Sequence, residues 1–153
     1  MVSQRSSIEL TEAEQLALLR SARTVHIASI NPDGRPHLVP MWFELDDEGL
    51  IVFTTYGKAQ KVRNLERDPR VTAMIEGGEA YNEIHGMSID GEAEVVRDPR
   101  VTMRTLALIG AKMAGRPRPD PDPDVEPAGQ ALKRVTVRLH PKRVRSWDHS
   151  KLG

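Results

Sequence analysis

The chain has 153 residues, enough for one domain with a hydrophobic core but too few to enclose a large cofactor without a second copy. Lys and Arg together number 22, as do Asp and Glu, and the resulting net charge of zero argues against a general nucleic-acid-binding protein. The chain has no cysteine, no apolar run as long as a membrane span and no signal-peptide-like N-terminus, so we expect no disulfide, no thiolate-bound metal, no membrane association and a cytoplasmic location.

The N-terminal part of the chain predicts a helix followed by a β-hairpin. Residues 1–9 are expected to form a flexible tail, and the Thr11-Glu12-Ala13-Glu14 run after them is typical of a capped helix start. Residues 24–30 alternate or run apolar, residues 31–34 (NPDG) favour a turn, and residues 36–43 return as a second strand.

The rest of the chain predicts further strands, with helices between them. The strands are expected over residues 49–53, 71–76, 84–96 and 131–139. Gly86 and Gly91 suit a bend or bulge, and a helix is expected after Asp98-Pro99. The Pro- and Asp-rich residues 116–128 are expected to form a mobile loop. Because few connections are long enough for parallel crossovers, we expect a single, mainly β domain over residues 1–153, an antiparallel barrel with flanking α-helices.

The segment TTYGKAQKVRNLERDPRV, residues 54–71, has the composition of a phosphate site. Hydroxyl side chains end a strand, Gly57 permits a tight turn, and Lys58 and Lys61 follow on a short helix that ends at Asp68-Pro69. Backbone N–H groups at a helix start, two ammonium groups and nearby hydroxyls together suit a dianionic phosphate. On charge alone, a surface helix with solvated lysines explains the segment equally well.

Four segments, in this order along the chain, resemble the pyridoxamine-phosphate-oxidase-like split β-barrel family. They are TVHIASINPDGRPHLVPMWF, the phosphate segment, YNEIHGMSIDGEAEVVRD and RVTVRLHPKRVRSWDHSKL, the last with a Ser146-Trp147-Asp148 signature. The likeness runs from about Leu10 to Leu152 and is greatest to the actinobacterial branch that binds flavin or the deazaflavin coenzyme F-420. It implies a split β-barrel of the FMN-binding type and a homodimer with cofactor clefts at the subunit interface.

The resemblance implies cofactor contacts at Val39, Pro40, Met41, Trp42, Thr54, Thr55, Lys58, Lys61, Asn64 and Trp147. Backbone groups of residues 39–42 would face the cofactor ring, the two threonines would flank the ribityl phosphate, and the two lysines would neutralise it. In the family's pattern a lysine stands three residues before an Asn-Leu pair, and Lys61 with Asn64-Leu65 matches that spacing.

The two tryptophans each have a structural explanation beside the functional one. In a regular strand Trp42 and Phe43 point to opposite faces, so core packing accounts for only one of them. Trp147 is either an aromatic anchor for the C-terminal tail or, as the family likeness implies, a lid over the partner's cofactor.

From the resemblance we expect an oxidoreductase that uses coenzyme F-420 as hydride donor to reduce a small organic molecule, with FMN as the alternative cofactor. F-420 carries an anionic oligoglutamate tail beyond its phosphate, and Arg63, Arg67 and Arg70 are available to bind it. The chain lacks the C-terminal substrate motif of pyridoxamine-phosphate oxidases, which argues against that reaction.

No catalytic residue and no metal ligand can be assigned from the sequence. The five histidines lack the spacing of a helical zinc site, and His26, Tyr81 and His85 are each available as a proton donor or as a structural residue. Three alternatives stay open: a cofactor carrier or binding module without turnover, a haem-associated protein with His140 as axial ligand, and a structural dimer with an empty cleft.

Overall fold

The computed structural model describes residues 3–153, which form four α-helices and seven β-strands. The helices are α1 (Gln4–Ser7), α2 (Glu12–Ser21), α3 (Gln60–Arg67) and α4 (Pro99–Met113). The strands are β1 (Thr24–Ile30), β2 (Pro36–Trp42), β3 (Glu44–Leu45), β4 (Ile51–Tyr56), β5 (Arg70–Gly77), β6 (His85–Val96) and β7 (Arg134–Asp148). Short 3-10 helices lie at Tyr81–Glu83, Gly129–Leu132 and His149–Lys151. Among these described residues, no helix has the length and apolar character needed to cross a membrane.

All seven strands belong to one antiparallel sheet in the order β2-β1-β5-β6-β7-β4-β3. Strands β2 and β3 lie at opposite edges of this sheet, although only Phe43 separates them in the sequence. The sheet must therefore curl until its two edges approach each other, which gives a half-open barrel. This architecture confirms the predicted fold class, a mainly β split barrel with flanking helices.

The hydrophobic core lies inside the curl, where alternate side chains of each strand point. In β1 the inward positions are Val25 and Ile27, both fully buried, and β5 and β6 contribute in the same way. Phe43 is also fully buried, whereas 63% of Trp42 is exposed, so the prediction that these neighbours face opposite sides is confirmed.

The last strand was predicted over residues 131–139, and this prediction is wrong at both ends. Ala131 lies in a 3-10 helix, and β7 continues nine residues past Leu139, to Asp148. Proline normally ends a central strand, but Pro141 pairs opposite Gly91, next to a register shift where a ladder N–H is not required. Any side chain at Gly91 would collide with the carbonyl oxygen of His140, which explains the glycine at this bulge.

Gly86 has a different role from the predicted bend, because its pairing with Trp147 in β7 is regular. A Cβ atom at this position would lie 2.8 Å from Cζ2 of Trp147 and 2.6 Å from the carbonyl oxygen of Ile75. The glycine therefore provides room for the tryptophan ring.

Two segments were predicted to be mobile, and the structure shows what each contacts. Of the N-terminal tail, residues 1 and 2 lie outside the described part of the chain. The remainder contains α1, and the carbonyl oxygen of Ile8 accepts a hydrogen bond from the backbone N–H of Asp148 at 2.7 Å. Residues 116–128 contain no helix or strand, and arginine side chains of α4 donate to their carbonyl oxygens. The mobility of both segments stays a prediction.

Candidate cofactor site

The end of β4 brings two buried threonines to opposite faces of the sheet. Thr54 and Thr55 are exposed by only 6% and 3%, because β4 pairs with β7 on one side and is covered by α4. Successive side chains of a strand alternate, so Thr55 points towards the barrel interior with Phe53, and Thr54 points to the other face. Hydroxyl groups at this depth need hydrogen-bond partners.

Helix α3 returns Lys61 to the end of this strand. The helix starts at Gln60, so Lys61 lies in its first turn, and its Nζ donates to Oγ1 of Thr55 at 3.0 Å. Burial lowers the pKa of Lys61 below its usual 10.5, and the positive charge of Arg134 lowers it further. No ion pair within 4.0 Å joins Lys61 to a carboxylate among residues 3–153.

Arg134 is the second cation at this site, and the sequence did not single it out. It begins β7 directly opposite Tyr56, and its Nη1 donates to the carbonyl oxygen and the hydroxyl of Thr54 at 3.1 and 3.3 Å. Its Nε donates to Oε1 of Gln130 at 3.2 Å, and the guanidinium lies 4.5 Å from the centre of the Tyr56 ring. Within the described chain, Arg134 also has no carboxylate within 4.0 Å. The only sequence signal was a basic residue within the predicted strand over residues 131–139.

A cavity of about 440 Å³ lies next to Thr54 and Arg134. Strand β2 contributes Pro40, Met41 and Trp42 to its wall, and α4 contributes apolar side chains. Its volume falls in the roughly 300–1,000 Å³ range of small-molecule sites. One end of the cavity thus carries the guanidinium of Arg134 and the hydroxyl of Thr54, and the rest is mainly apolar, which suits a ligand with an anionic group and a flat ring.

Four of the residues predicted to contact a cofactor line this cavity: Pro40, Met41, Trp42 and Thr54. Thr55 and Lys61 bond to each other at the same end of β4 but do not belong to the cavity lining. Val39 does not line the cavity and instead packs against the core. Lys58 is exposed and lies in the turn before α3, three residues before Lys61. Their predicted roles as ligands of the cofactor remain predictions.

Asn64 is fully buried and bonded within the protein. Its Nδ2 donates to Oγ of Ser29 at 3.1 Å and to Oδ1 of Asn31 at 3.0 Å, while its Oδ1 accepts from Gln60. These bonds attach α3 to β1 and to the hairpin turn. Asn64 therefore fixes the helix that carries Lys61, and its predicted contact with the cofactor is not tested by this arrangement.

Trp147 packs over Gly86 on the neighbouring strand, as an anchor for the C-terminal tail would. Its ring is partly buried within its own chain. The predicted lid function concerns a second copy of the chain and stays a prediction.

None of the candidate proton donors lines the cavity. His26 lies 3.8 Å from Oε1 of Glu76, and Nδ1 of His85 lies 2.8 Å from the carbonyl oxygen of Glu83. The ring of Tyr81 contacts that of His149 in a tilted arrangement, with ring centres 4.7 Å apart and an interplanar angle of 55°. His140, the candidate haem ligand, lies 2.9 Å from Oε1 of Glu94. Between residues 3 and 153, no group of three His, Cys, Asp or Glu side chains is placed to hold a metal ion.

Comparisons with known proteins match nearly the whole chain. The family model described as pyridoxamine 5'-phosphate oxidase matches residues 11–148. A 5a,11a-dehydrotetracycline/5a,11a-dehydrooxytetracycline reductase from Streptomyces rimosus is 26% identical, across 88% of this chain and 80% of that protein.

Two solved structures are similar in sequence and in fold. A conserved hypothetical protein from Mycobacterium tuberculosis is 40% identical, with a TM-score of 0.86 over 99% of this chain and 93% of that one. An F-420 reductase is 26% identical, with a TM-score of 0.64 over 88% of this chain and 98% of that one.

Proposed function

The chain belongs to the pyridoxamine 5'-phosphate oxidase family, and we propose that it is an oxidoreductase that uses coenzyme F-420 to reduce a small organic molecule. FMN is the alternative cofactor. The observation that carries the proposal is the placement of Lys61 and Arg134, two cations without carboxylate partners in the described chain, beside the hydroxyls of Thr54 and Thr55.

The charges of this site fit a phosphate group, which both cofactors carry. Burial raises the cost of keeping Lys61 charged, and repulsion by the positive charge of Arg134 adds to it. A dianionic phosphate reverses both effects, because it attracts the two cations and accepts charge-assisted hydrogen bonds from them. The same end of the cavity would disfavour a neutral or cationic ligand.

The apolar wall fits the ring of such a cofactor. Pro40, Met41 and Trp42 offer an apolar surface, with 63% of Trp42 exposed in the isolated chain. When bound, the cofactor ring supplies the hydride. The residues of this chain would hold the phosphate, orient the ring against β2 and keep water from one of its faces.

Two observations support F-420 over FMN. Two of the relatives are named reductases, one of them an F-420 reductase. In addition, Arg63 is exposed on α3 and its side chain makes no hydrogen bond or ion pair with residues 3–153, so it is available to an anionic tail. Of the other two candidates for the tail, Arg67 donates to the carbonyl oxygen of Ile30, and Arg70 pairs with Asp68 at 2.7 Å.

A homodimer is part of the proposal, because β2, which supplies part of the cavity wall, is an edge strand with exposed apolar side chains. Strand β2 lies at the sheet edge and exposes 66% of Leu38 and 63% of Trp42. An apolar sheet edge of this kind favours association with another chain. Sedimentation equilibrium should give twice the 17.1 kDa chain mass, and a monomer at micromolar concentration would contradict the dimer.

The cytoplasmic location expected from the sequence is also part of the proposed function.

Turnover separates an enzyme from a cofactor carrier. Under anaerobic conditions, reduced F-420 should be oxidised by at least one acceptor from a panel of enones, quinones and nitroaromatics faster with the protein than without it. Lys61→Ala protein at the same concentration serves as the control and should show a lower rate at subsaturating cofactor. Binding of the cofactor without acceleration for any acceptor would favour a carrier.

A further inference from the structure

A second cavity, of about 480 Å³, lies at the other end of the β4–β7 pair from the cofactor site. Arg138 lines it and stands four residues along β7 from Arg134, which is roughly 13 Å of extended strand. A ligand in this second cavity would therefore not contact Lys61 or Arg134. We call it the α4-loop cavity, because helix α4 lines one side of it and the loop over residues 116–128 lines the opposite side.

These two sides of the α4-loop cavity are apolar. Helix α4 supplies Val101, Ala107 and Leu108, and the loop over residues 116–128 covers them with prolines and Val125. Leu108 is buried, Val101 is half-buried, and Ala107 and Val125 are exposed. Together they form an apolar surface that favours a ligand with an apolar body over water.

Two arginines of α4 attach the loop over residues 116–128 to the helix by hydrogen bonds. Nη1 of Arg104 donates to the carbonyl oxygen of Pro119 at 2.7 Å, and Nη1 of Arg100 donates to that of Pro123 at 3.0 Å. The cavity is thus formed in the isolated chain and needs no second copy to define it.

The charges around the cavity are mainly negative. Its lining contains three arginines and five carboxylates. Each arginine already pairs with a carboxylate: Arg100 with Glu126 at 2.9 Å, Arg104 with Asp47 at 2.8 Å and Arg138 with Asp46 at 2.8 Å. In contrast, the exposed residues Glu48, Asp120 and Asp122 form no ion pair within 4.0 Å among residues 3–153, although the charge of Asp120 acts on Arg104 from farther away.

We propose that the α4-loop cavity binds a small organic cation with an apolar body, such as an aryl-alkyl amine. The apolar part lies against α4, and the ammonium group meets the unpaired carboxylates at the rim through charge-assisted hydrogen bonds. An organic acid is disfavoured because the arginines are already neutralised and the remaining carboxylates repel it. This inference is independent of the proposed redox function and goes beyond it.

The test compares three probes that share one apolar body: 4-phenylbutylamine, 4-phenylbutanol and 4-phenylbutyrate. Isothermal titration calorimetry of the full chain at low salt should show the amine binding roughly tenfold more tightly than the alcohol, and the acid more weakly than both. Added salt should weaken the binding of the amine and leave that of the alcohol nearly unchanged.

Two variants locate the site, with a matched control. Ala107→Trp fills the cavity from the exposed face of α4 and should abolish binding of the amine. The pair Glu48→Gln and Asp120→Asn should weaken amine binding roughly three- to tenfold and barely affect the alcohol. The control pair Glu9→Gln and Glu79→Gln removes the same charge from exposed positions outside the cavity and should have no effect.

The proposal would be overturned by equal affinity for the amine and the acid, by no heat with the amine at millimolar concentration, or by unchanged binding in Ala107→Trp. The charge-pair variant keeps the test valid if the tryptophan variant does not fold. The same samples are also titrated with F-420 and FMN. A loss of amine binding can then be distinguished from a loss of cofactor binding.

Discussion

Replacing Lys61 with alanine should weaken binding of the cofactor by about 1.5–3 kcal/mol, or roughly 10- to 150-fold in Kd. The lysine is partly buried, so solvent screens its attraction for a phosphate less than at an open surface. The loss should not be complete, because Arg134 and the hydroxyl of Thr54 remain at the site. The lower end of the range applies if Arg134 shifts to replace the missing bond.

Fluorescence titration of the wild type and the variant with the same cofactor measures this difference. Lys142→Ala is the matched control, since it also removes one positive charge but from a surface pair with Glu92, at 2.8 Å. The control should bind as the wild type does. Unchanged affinity in Lys61→Ala, or an equal loss in Lys142→Ala, would refute the placement of the phosphate at this lysine.

The same lysine should make cofactor binding dependent on pH. Its pKa in the free protein lies below 10.5, and a bound phosphate favours the ammonium form, so binding takes up a proton once the pH exceeds the pKa of the free protein. Affinity should therefore fall as the pH rises towards 10.5. In Lys61→Arg the guanidinium stays charged throughout, and the fall should disappear. The same pH dependence in both proteins would assign it to another group.

Three further predictions concern the tail of the cofactor, the packing of the sheet and the loop over the second cavity. Arg63→Ala should weaken binding of F-420 by roughly two- to fivefold and leave that of FMN unchanged, and an equal effect on both would remove the argument for the tail. Gly86→Ala should destabilise the protein by about 1–3 kcal/mol, since the new Cβ meets a carbonyl oxygen at 2.6 Å. Gly110→Ala, in the last turn of α4 where a new Cβ meets no atom within 4 Å, should stabilise it by about 0.5–1 kcal/mol, and urea unfolding measures both changes. Hydrogen bonds from Arg104 lower the pKa of Asp47 to about 2 from 3.8, so its stabilising effect is complete above pH 3.8 and is lost as the pH falls towards 2. Asp47→Asn should accordingly lose less thermal stability over that pH range than the wild type does.

The strands of this fold were largely predictable because each carries its own signal. Alternation in residues 24–30 and turn residues at 31–34 give the hairpin, and Thr11 begins the expected helix. The extent of β7 was not predictable, since a proline at position 141 is tolerated only where the partner strand has a register shift. That shift is a property of two strands far apart in the sequence.

The residues of the candidate site show the same difference between local signals and tertiary packing. Lys61 and the threonines were found because they are close in the sequence and match a local pattern. Arg134 was missed because it reaches Thr54 only through the register of β4 against β7. Asn64 fits the local pattern as well, but its burial against Ser29 depends on how α3 packs on β1. Local sequence therefore indicated the chemistry of the site, and tertiary packing decided which side chains face it.

The most direct measurement of the central claim is equilibrium titration of the purified protein with F-420 and with FMN, followed by fluorescence. We expect both cofactors to bind at the site of Lys61 and Arg134, with F-420 the tighter because of its anionic tail. Tighter binding of FMN would make this a flavin protein. Failure of both to bind at micromolar concentration would contradict the cofactor site itself.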